Sequence, residues 1–320
     1  MDYSEAIAFF EPDETYLLST HRNADGDGLG ALLALGGMLD HLDRQFRIIL
    51  GDDQPDERFS FLDGFDQIET CSSLKERPSF NRVVFVDTPT YDILRVGDVA
   101  LMLAQGTQTL VIDHHAGRGD RADVRLVDSE ASAASELVYR LALAAGAPVS
   151  VDMAKQVYAG IAFDTKLFKF SNPGRAVKVC AELVDLGADP EEIADVLFAS
   201  ESFETMKTLG IALSTLELHM DNRVGTLVVD FETYKMGGDL NFVVDHAMSI
   251  GGIEVALFFK EETQGRFRIS LRSCGSVDVN EIARVFGGGG HQRASGCEIM
   301  KPLEESKKAL LDEVEKRLPD

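Results

Sequence analysis

His21, Asp25 and Asp27 fall within seven positions of one another in His21-Arg22-Asn23-Ala24-Asp25-Gly26-Asp27-Gly28, directly after an apolar run. Imidazole and carboxylate groups at that density can hold a divalent cation or exchange protons with a substrate. The same chemistry follows other apolar runs: Asp87 in Val86-Asp87-Thr88, the triplet Asp113-His114-His115 after Leu110-Val111-Ile112, and Asp164 in Asp164-Thr165. Adjacent histidines point in different directions, so at most one of His114 and His115 binds a given metal, and the other faces substrate or supports the ligands. Any one of these acids is explained well enough as a turn residue or helix cap, and Asp27 has the position of a good N-cap. Acids or histidines closing three successive strands are harder to explain that way together, because open α/β sheets bind ligands at the carboxyl ends of their strands.

Two glycine-containing segments bear on phosphate. Gly26-x-Gly28-x-x-Ala31 fits a loose dinucleotide fingerprint, with Asp52 placed to bind a ribose. Asp25 and Asp27 would then stand beside a pyrophosphate uncompensated, an objection that a divalent cation removes by turning both carboxylates into ligands. Near the other end, Gly287-Gly288-Gly289-Gly290-His291-Gln292-Arg293 runs on to Gly296. Such a run lets backbone amides approach a phosphate, but no Lys-Ser or Lys-Thr follows, so it is not a P-loop; the plainer reading is a flexible helix-to-strand turn. Lys260, Arg266, Arg268, Arg272, Arg284 and Arg293 outnumber Glu261, Glu262, Asp278 and Glu281 there by 6 to 4, a net +2 in a chain of −23. A basic island with His291 in a glycine loop suits recognition of a phosphate or a base edge.

The elements that must present these groups follow from periodicity. At 320 residues the chain is about twice the usual domain, so two domains with a cleft between them are expected. In the first half, short apolar runs at 16–20, 46–50, 83–86 and 110–112 alternate with helical patterns. One helix starts near Asp27 or Gly28 with a stripe of Leu29, Leu32, Leu33, Leu35 and Leu39; others cover 131–146, capped by Ser132 or Ser135, and 151–162. Residues 171–200 read as helical connections. Strand-like segments at 223–230, 254–260 and 266–272 then mark a second domain, closed by a helix over 303–318. The expected fold is α/β: an amino-terminal domain (1–188) with a mainly parallel sheet flanked by helices, a helical linker (189–200), and a smaller carboxyl-terminal α+β domain (201–320).

Composition narrows the function. The balance of 31 basic and 54 acidic residues argues against coating long duplex nucleic acid, though not against a small phosphorylated substrate held by a few cations. Cys71, Cys180, Cys274 and Cys297 are scattered without a CxxC pair, which fits a reducing, cytoplasmic setting. No basic leader and no run of the ~18 apolar residues of a membrane span is present, so no membrane partner is expected.

Taken in order, the His21/Asp25/Asp27 cluster, Asp87, the Asp113-His114-His115 triplet and Asp164 resemble the motifs of the DHH phosphoesterases, and Gly287 to Gly296 resembles the Gly-Gly-Gly-His motif of the DHH-associated carboxyl-terminal domain. Within that family the chain is similar to the nanoRNase and 3′-phosphoadenosine-5′-phosphate (pAp) phosphatase branch. The resemblance implies two Mn²⁺ ions, with Mg²⁺ or Co²⁺ as substitutes. His21, Asp25 and Asp87 would hold one, and Asp27, Asp87, His114 and Asp164 the other, with Asp87 bridging; mixed oxygen and imidazole donors without thiolate suit that metal. It further implies catalytic roles for His115, Asp87 and Asp113, substrate binding by Arg272, Gly289, Gly290, His291 and Arg293, domain closure, and a homodimer. The implied reaction trims very short oligonucleotides to mononucleotides and converts pAp to AMP. The alternatives are a cyclic or linear dinucleotide phosphodiesterase, an exopolyphosphatase- or pyrophosphatase-like enzyme, or a dinucleotide-binding module without chemistry. Ala24 stands where the family commonly has proline, and Lys166 where a small residue is usual; the latter puts substrate preference in question.

Overall fold

The computed structural model describes residues 1–52, 54–115, 122–169, 171–198, 202–238, 240 and 242–319, apart from the side chains of Phe198 and His291. The chain divides into two compact units, Met1–Ser200 and Glu201–Asp320.

The first unit is built on six strands: β1 (Thr15–Ser19), β2 (Gln45–Leu50), β3 (Glu69–Thr70), β4 (Phe80–Val86), β5 (Leu103–Asp113) and β6 (Val124–Val127). Their order is β3-β2-β1-β4-β5-β6, and every neighbouring pair is parallel. Alternate side chains fall on opposite faces of a strand, and here both faces are covered. Leu18, Leu50, Val84, Val86, Leu110 and Ile112 join one apolar core, while Leu17, Ile49, Val83, Phe85 and Val111 join another. Each such Leu, Val or Phe stabilises the fold by ~1.5–3 kcal/mol relative to exposure, which is why the strands read as unbroken apolar runs. Two strands escaped the sequence pattern. β3 has two residues and β6 four, too short for a period of two to register.

The chain runs outward from β1 through β2 to β3, then returns to place β4 on the other side of β1. The order therefore reverses between β1 and β4, and the loops leaving their carboxyl ends part to open a crevice. The helices Gly26–His41, Ala134–Ala144 and Val151–Asp164 pack on one face; Gly30 lets two of them meet, since a Cβ there would lie 2.5 Å from the Gln156 carbonyl oxygen. Within the segment expected as a linker, 189–200, the helix Pro190–Phe198 buries Ile193 and Leu197 in the first core; residues 199 and 200 lie outside the described residues.

The second unit has a mixed sheet of β7 (Glu217–His219), β8 (Val224–Val229), β9 (Val255–Thr263), β10 (Arg266–Ser273), β11 (Gly289–His291) and β12 (Ala294–Ile299), in the order β11-β12-β10-β9-β8-β7. Only β8 and β9 are parallel neighbours. The glycine run is not wholly a loop: Gly289, Gly290 and His291 pair with Gly296, Ser295 and Ala294 as an antiparallel hairpin. A Cβ on Gly288 would lie 2.1 Å from the Gly296 carbonyl oxygen, so this glycine is there for close backbone packing.

Candidate metal centre

Each functional loop leaves the carboxyl end of a strand or helix. After β1, Asp25 caps the helix Gly26–His41, its carboxylate accepting from the Asp27 and Gly28 amides at 3.0 and 3.2 Å. Asp27, expected as that cap, instead turns across to the helix Ala134–Ala144 and accepts from the Ala134 and Ser135 amides at 2.6 and 2.8 Å. That helix has no capping side chain of its own at Ala133, so the Asp27 carboxylate, from the helix Gly26–His41, satisfies its open amides. Ser132 and Ser135 do not cap it: Ser132 bonds Glu136, and the Ser135 hydroxyl donates to the Asp27 carbonyl. Asp87 follows β4 in a left-handed conformation (φ 52°) that a non-glycine residue adopts only at a cost. Asp113 ends β5, and Asp164 ends the helix Val151–Asp164.

These loops converge on Asp87, which is buried. His21 Nε2 lies 3.3 Å from Asp87 Oδ2 and 3.9 Å from Asp25 Oδ1. On the other side, His114 Nε2 lies 3.5 Å from Asp87 Oδ1, 3.7 Å from Asp27 Oδ2 and 3.9 Å from Asp164 Oδ2. His21 Nδ1 donates to the Arg22 carbonyl at 2.8 Å, which leaves Nε2 facing the carboxylates, a donor to Asp87 when protonated and a metal donor atom when not. His21, Asp25 and Asp87 form one group compact enough for a metal ion, and Asp87, His114 and His115 another.

The electrostatics are those of charges forced together. Burial would depress His21, but its hydrogen bond to Asp87 and the charges of Asp87 and Asp25 lift it to about 9. His114 is lifted to about 10 by Asp87, Asp27 and Asp164, also against burial. Burial and the neighbouring Asp87 charge push Asp27 up to about 8, and burial raises Asp25 and Asp164 too. Asp87 alone moves the other way: burial would raise it, but His114 and His21 hold it well below the ordinary carboxylate range. Acids crowded this closely need positive charge among them.

Residues 15–161 match the DHH family, N-terminal domain, and residues 221–320 match the DHHA1 domain. This chain is a DHH-family phosphoesterase. Along 92% of its length it is 27% identical to the bifunctional oligoribonuclease and PAP phosphatase NrnA of Bacillus subtilis, covering 93% of that protein. The NrnA of Thermus thermophilus is also 27% identical, over 94% of this chain and 89% of the relative. Among solved structures, an exopolyphosphatase-related protein from Bacteroides fragilis superposes with a TM-score of 0.90 at 25% identity, covering 98% of this chain and 95% of that one.

The metal dependence of DHH phosphoesterases fits the side chains at this site. Asp87 Oδ1 and Asp164 Oδ2 are buried and lack any hydrogen-bond partner, as does Asp113 Oδ2 beside them. Buried carboxylate oxygens are costly to leave unpaired, and a cation is the partner that several of them can share. His115 is held differently. Its Nδ1 lies 2.7 Å from Asp113 Oδ1 and its ring meets that of His114 at 61°, so the two histidines of the DHH triplet face different ways. Burial would depress His115, but the Asp113 hydrogen bond and the charges of Asp87 and Asp113 raise it.

Two readings of the DHH segment are corrected. The Gly26 and Gly28 amide region does not cradle a pyrophosphate: Asp25 occupies the Asp27 and Gly28 amides, and Cβ atoms on Gly26 and Gly28 would lie 2.6 Å from Phe163 and 2.7 Å from Thr20. Asp52 is likewise committed, accepting from the Asn23 and Ala24 amides at 2.7 and 3.0 Å. The second of these bonds needs the donor that a proline at Ala24 would lack. The dinucleotide-binding module is thereby left without its phosphate and ribose contacts.

Sequence reasoning missed Thr20, buried beside the cluster, whose hydroxyl donates to the Val86 carbonyl at 2.8 Å and ties the ends of β1 and β4 together. Its proximity to His21 was the available signal. In the second unit, Arg272 Nε donates to Asp245 Oδ1 at 3.1 Å, Gly289 and Gly290 are exposed in β11, and Arg293 is exposed in the β11–β12 turn. The His291 side chain lies outside those described.

Proposed function

We propose that this protein is a Mn²⁺-dependent hydrolase of very short oligonucleotides, releasing mononucleotides, and that it also converts pAp to AMP. The observation that carries the reading is the convergence of His21, Asp25, Asp27, His114 and Asp164 around Asp87 at the sheet's reversal point, with Asp87 and Asp164 oxygens unpaired. The two NrnA relatives, named as oligoribonucleases and PAP phosphatases and matched over nearly the whole chain, supply the substrate class.

His21, Asp25 and Asp87 would hold one ion, and Asp27, Asp87, His114 and Asp164 a second, with Asp87 shared. Such a pair supplies an ionised water at neutral pH and neutralises charge on the phosphoryl oxygens. The chain's own groups do the rest. Asp113 fixes His115 through Nδ1–H, so that the imidazolium carries its second proton at Nε2. As the water oxygen bonds to phosphorus and the bridging P–O bond breaks, His115 gives that proton to the departing ribose oxygen. From an oligonucleotide diester the products are a phosphomonoester and an alcohol; from pAp they are inorganic phosphate and AMP. Arg272, Gly289, Gly290, His291 and Arg293 are proposed to bind the nucleotide, through charge-assisted bonds and exposed backbone amides.

The test is product analysis with Mn²⁺ against a 5′-phosphorylated dinucleotide, longer oligomers, pAp, a cyclic dinucleotide, polyphosphate and pyrophosphate. Mononucleotides from the dinucleotide and AMP from pAp are expected. Turnover confined to pyrophosphate or polyphosphate overturns the substrate class.

A further inference from the structure

Lys166 occupies the position just past the helix Val151–Asp164, where the chain turns left-handed. Lys166, Leu167 and Phe168 have φ of 48°, 53° and 67°, and the turn is closed by the Leu167 amide on the Ala162 carbonyl and the Phe168 amide on Thr165 Oγ1. Glycine is the residue that takes this conformation without strain. A lysine there pays for its backbone, which directs attention to its side chain.

That side chain is placed by a ring. Lys166 Nζ lies 4.1 Å from the centroid of Phe163, and Phe163 is braced edge-on by the fully buried Phe59 at 5.5 Å. Gly26 of the metal-centre loop packs against the same ring, where a Cβ would come within 2.6 Å. The ammonium thus rests on the same ring that Gly26, the residue between Asp25 and Asp27, packs against. The residue is exposed, and no carboxylate among the described residues lies within 4 Å of its ammonium. Arg58 stands over the same ring at 5.8 Å, paired with Asp56.

Charge balance gives this cation a task. In the proposed centre, Asp25, Asp27, Asp87 and Asp164 at −1 each cancel two ions at +2 each, so the centre has no surplus with which to hold a further phosphate. We propose that Lys166 binds a second, non-scissile phosphate of the substrate, one nucleoside removed from the reacting one, and so makes the enzyme prefer nucleotides carrying a terminal phosphomonoester: 5′-phosphorylated dinucleotides and pAp. This rests on the functional reading above.

The experiment compares kcat/KM in Mn²⁺ for a 5′-phosphorylated dinucleotide and for the same dinucleotide without its 5′-phosphate. A charge-assisted contact predicts a preference of about tenfold for the phosphorylated form. Lys166→Met and Lys166→Gly should bring the ratio to about 1–2, Lys166→Arg should keep most of it, and pAp binding measured by calorimetry with Ca²⁺ should weaken about tenfold in Lys166→Met. Lys166→Gly relieves the left-handed strain, so its Tm should equal or exceed the parent's, which separates lost recognition from lost folding. A preference that survives both charge-removing substitutions, or one absent from the parent, overturns the role of Lys166 while the activity stands. No turnover of either dinucleotide by the parent overturns the functional reading and this inference with it.

Discussion

Asp27, in the first turn of the helix Gly26–His41, accepts the amide of Ala134 at 2.6 Å across 107 residues of chain. One carboxylate therefore closes the start of a distant helix and turns toward His114, 3.7 Å away. The stability of the helix packing and the geometry of the candidate metal centre are joined at that side chain.

Gly160→Ala tests this joint without replacing a proposed ligand. Its Cβ would lie 2.1 Å from Ser135 Oγ and 3.1 Å from Asp27 Oδ1. Overpacking of this kind costs about 1–3 kcal/mol. Denaturant melts should show that loss, and Mn²⁺ affinity should fall with it as Asp27 is displaced. A destabilised variant with parental Mn²⁺ affinity would separate the two.

Metal should act as a stabilising ligand. Mn²⁺ at a hundredfold over its Kd is expected to add about 2.7 kcal/mol to unfolding free energy, reversed by chelator. Asp87→Ala, which removes the residue shared by both ligand groups, should abolish both this increment and turnover while circular dichroism still reports a folded chain. An undiminished increment in Asp87→Ala would place the metal elsewhere.

The metal-free protein should lose stability as pH rises from 7 to 10. His21 and His114 keep their protons to about 9 and about 10 when folded, against 6.5 when unfolded, and Asp27 to about 8 against 3.8. The folded state then binds more protons than the unfolded one, so stability falls with pH. The histidine contribution is complete below 6.5 and is lost through 9 to 10. Asp27 acts in the same direction up to about 8, whereas Asp87, held low, changes stability only in acid. Metal binding releases these protons, so Tm in Mn²⁺ should fall less steeply than in chelator. Parallel curves would show that the ligands lie elsewhere.

Asp52 should matter through the loop it holds. Asp52→Ala leaves the Asn23 and Ala24 amides without their acceptor and frees the backbone that presents His21 and Asp25. Partners that support metal ligands typically cost about 10–100-fold in affinity or activity when removed. Isothermal titration should show the Mn²⁺ affinity falling in that range, with Asp52→Asn intermediate because one acceptor oxygen remains. An unchanged affinity would reduce Asp52 to a surface turn residue.

The sequence by itself determined the architecture and named the residues of the candidate site. The apolar runs ending at Val86 and Ile112, continuous because both faces are buried, announced a parallel sheet, and the acids and histidines that follow them announced its ligand end. Such features are legible because periodicity and strand-end position are local. Tertiary structure decided which carboxylate faces which partner: that Asp25 rather than Asp27 caps its own helix, that Asp52 serves the backbone rather than a ribose, that part of the glycine run is a strand, and that Lys166 rests on Phe163. These pairings join groups as much as 108 residues apart, brought together by parallel crossovers whose packing no local window contains.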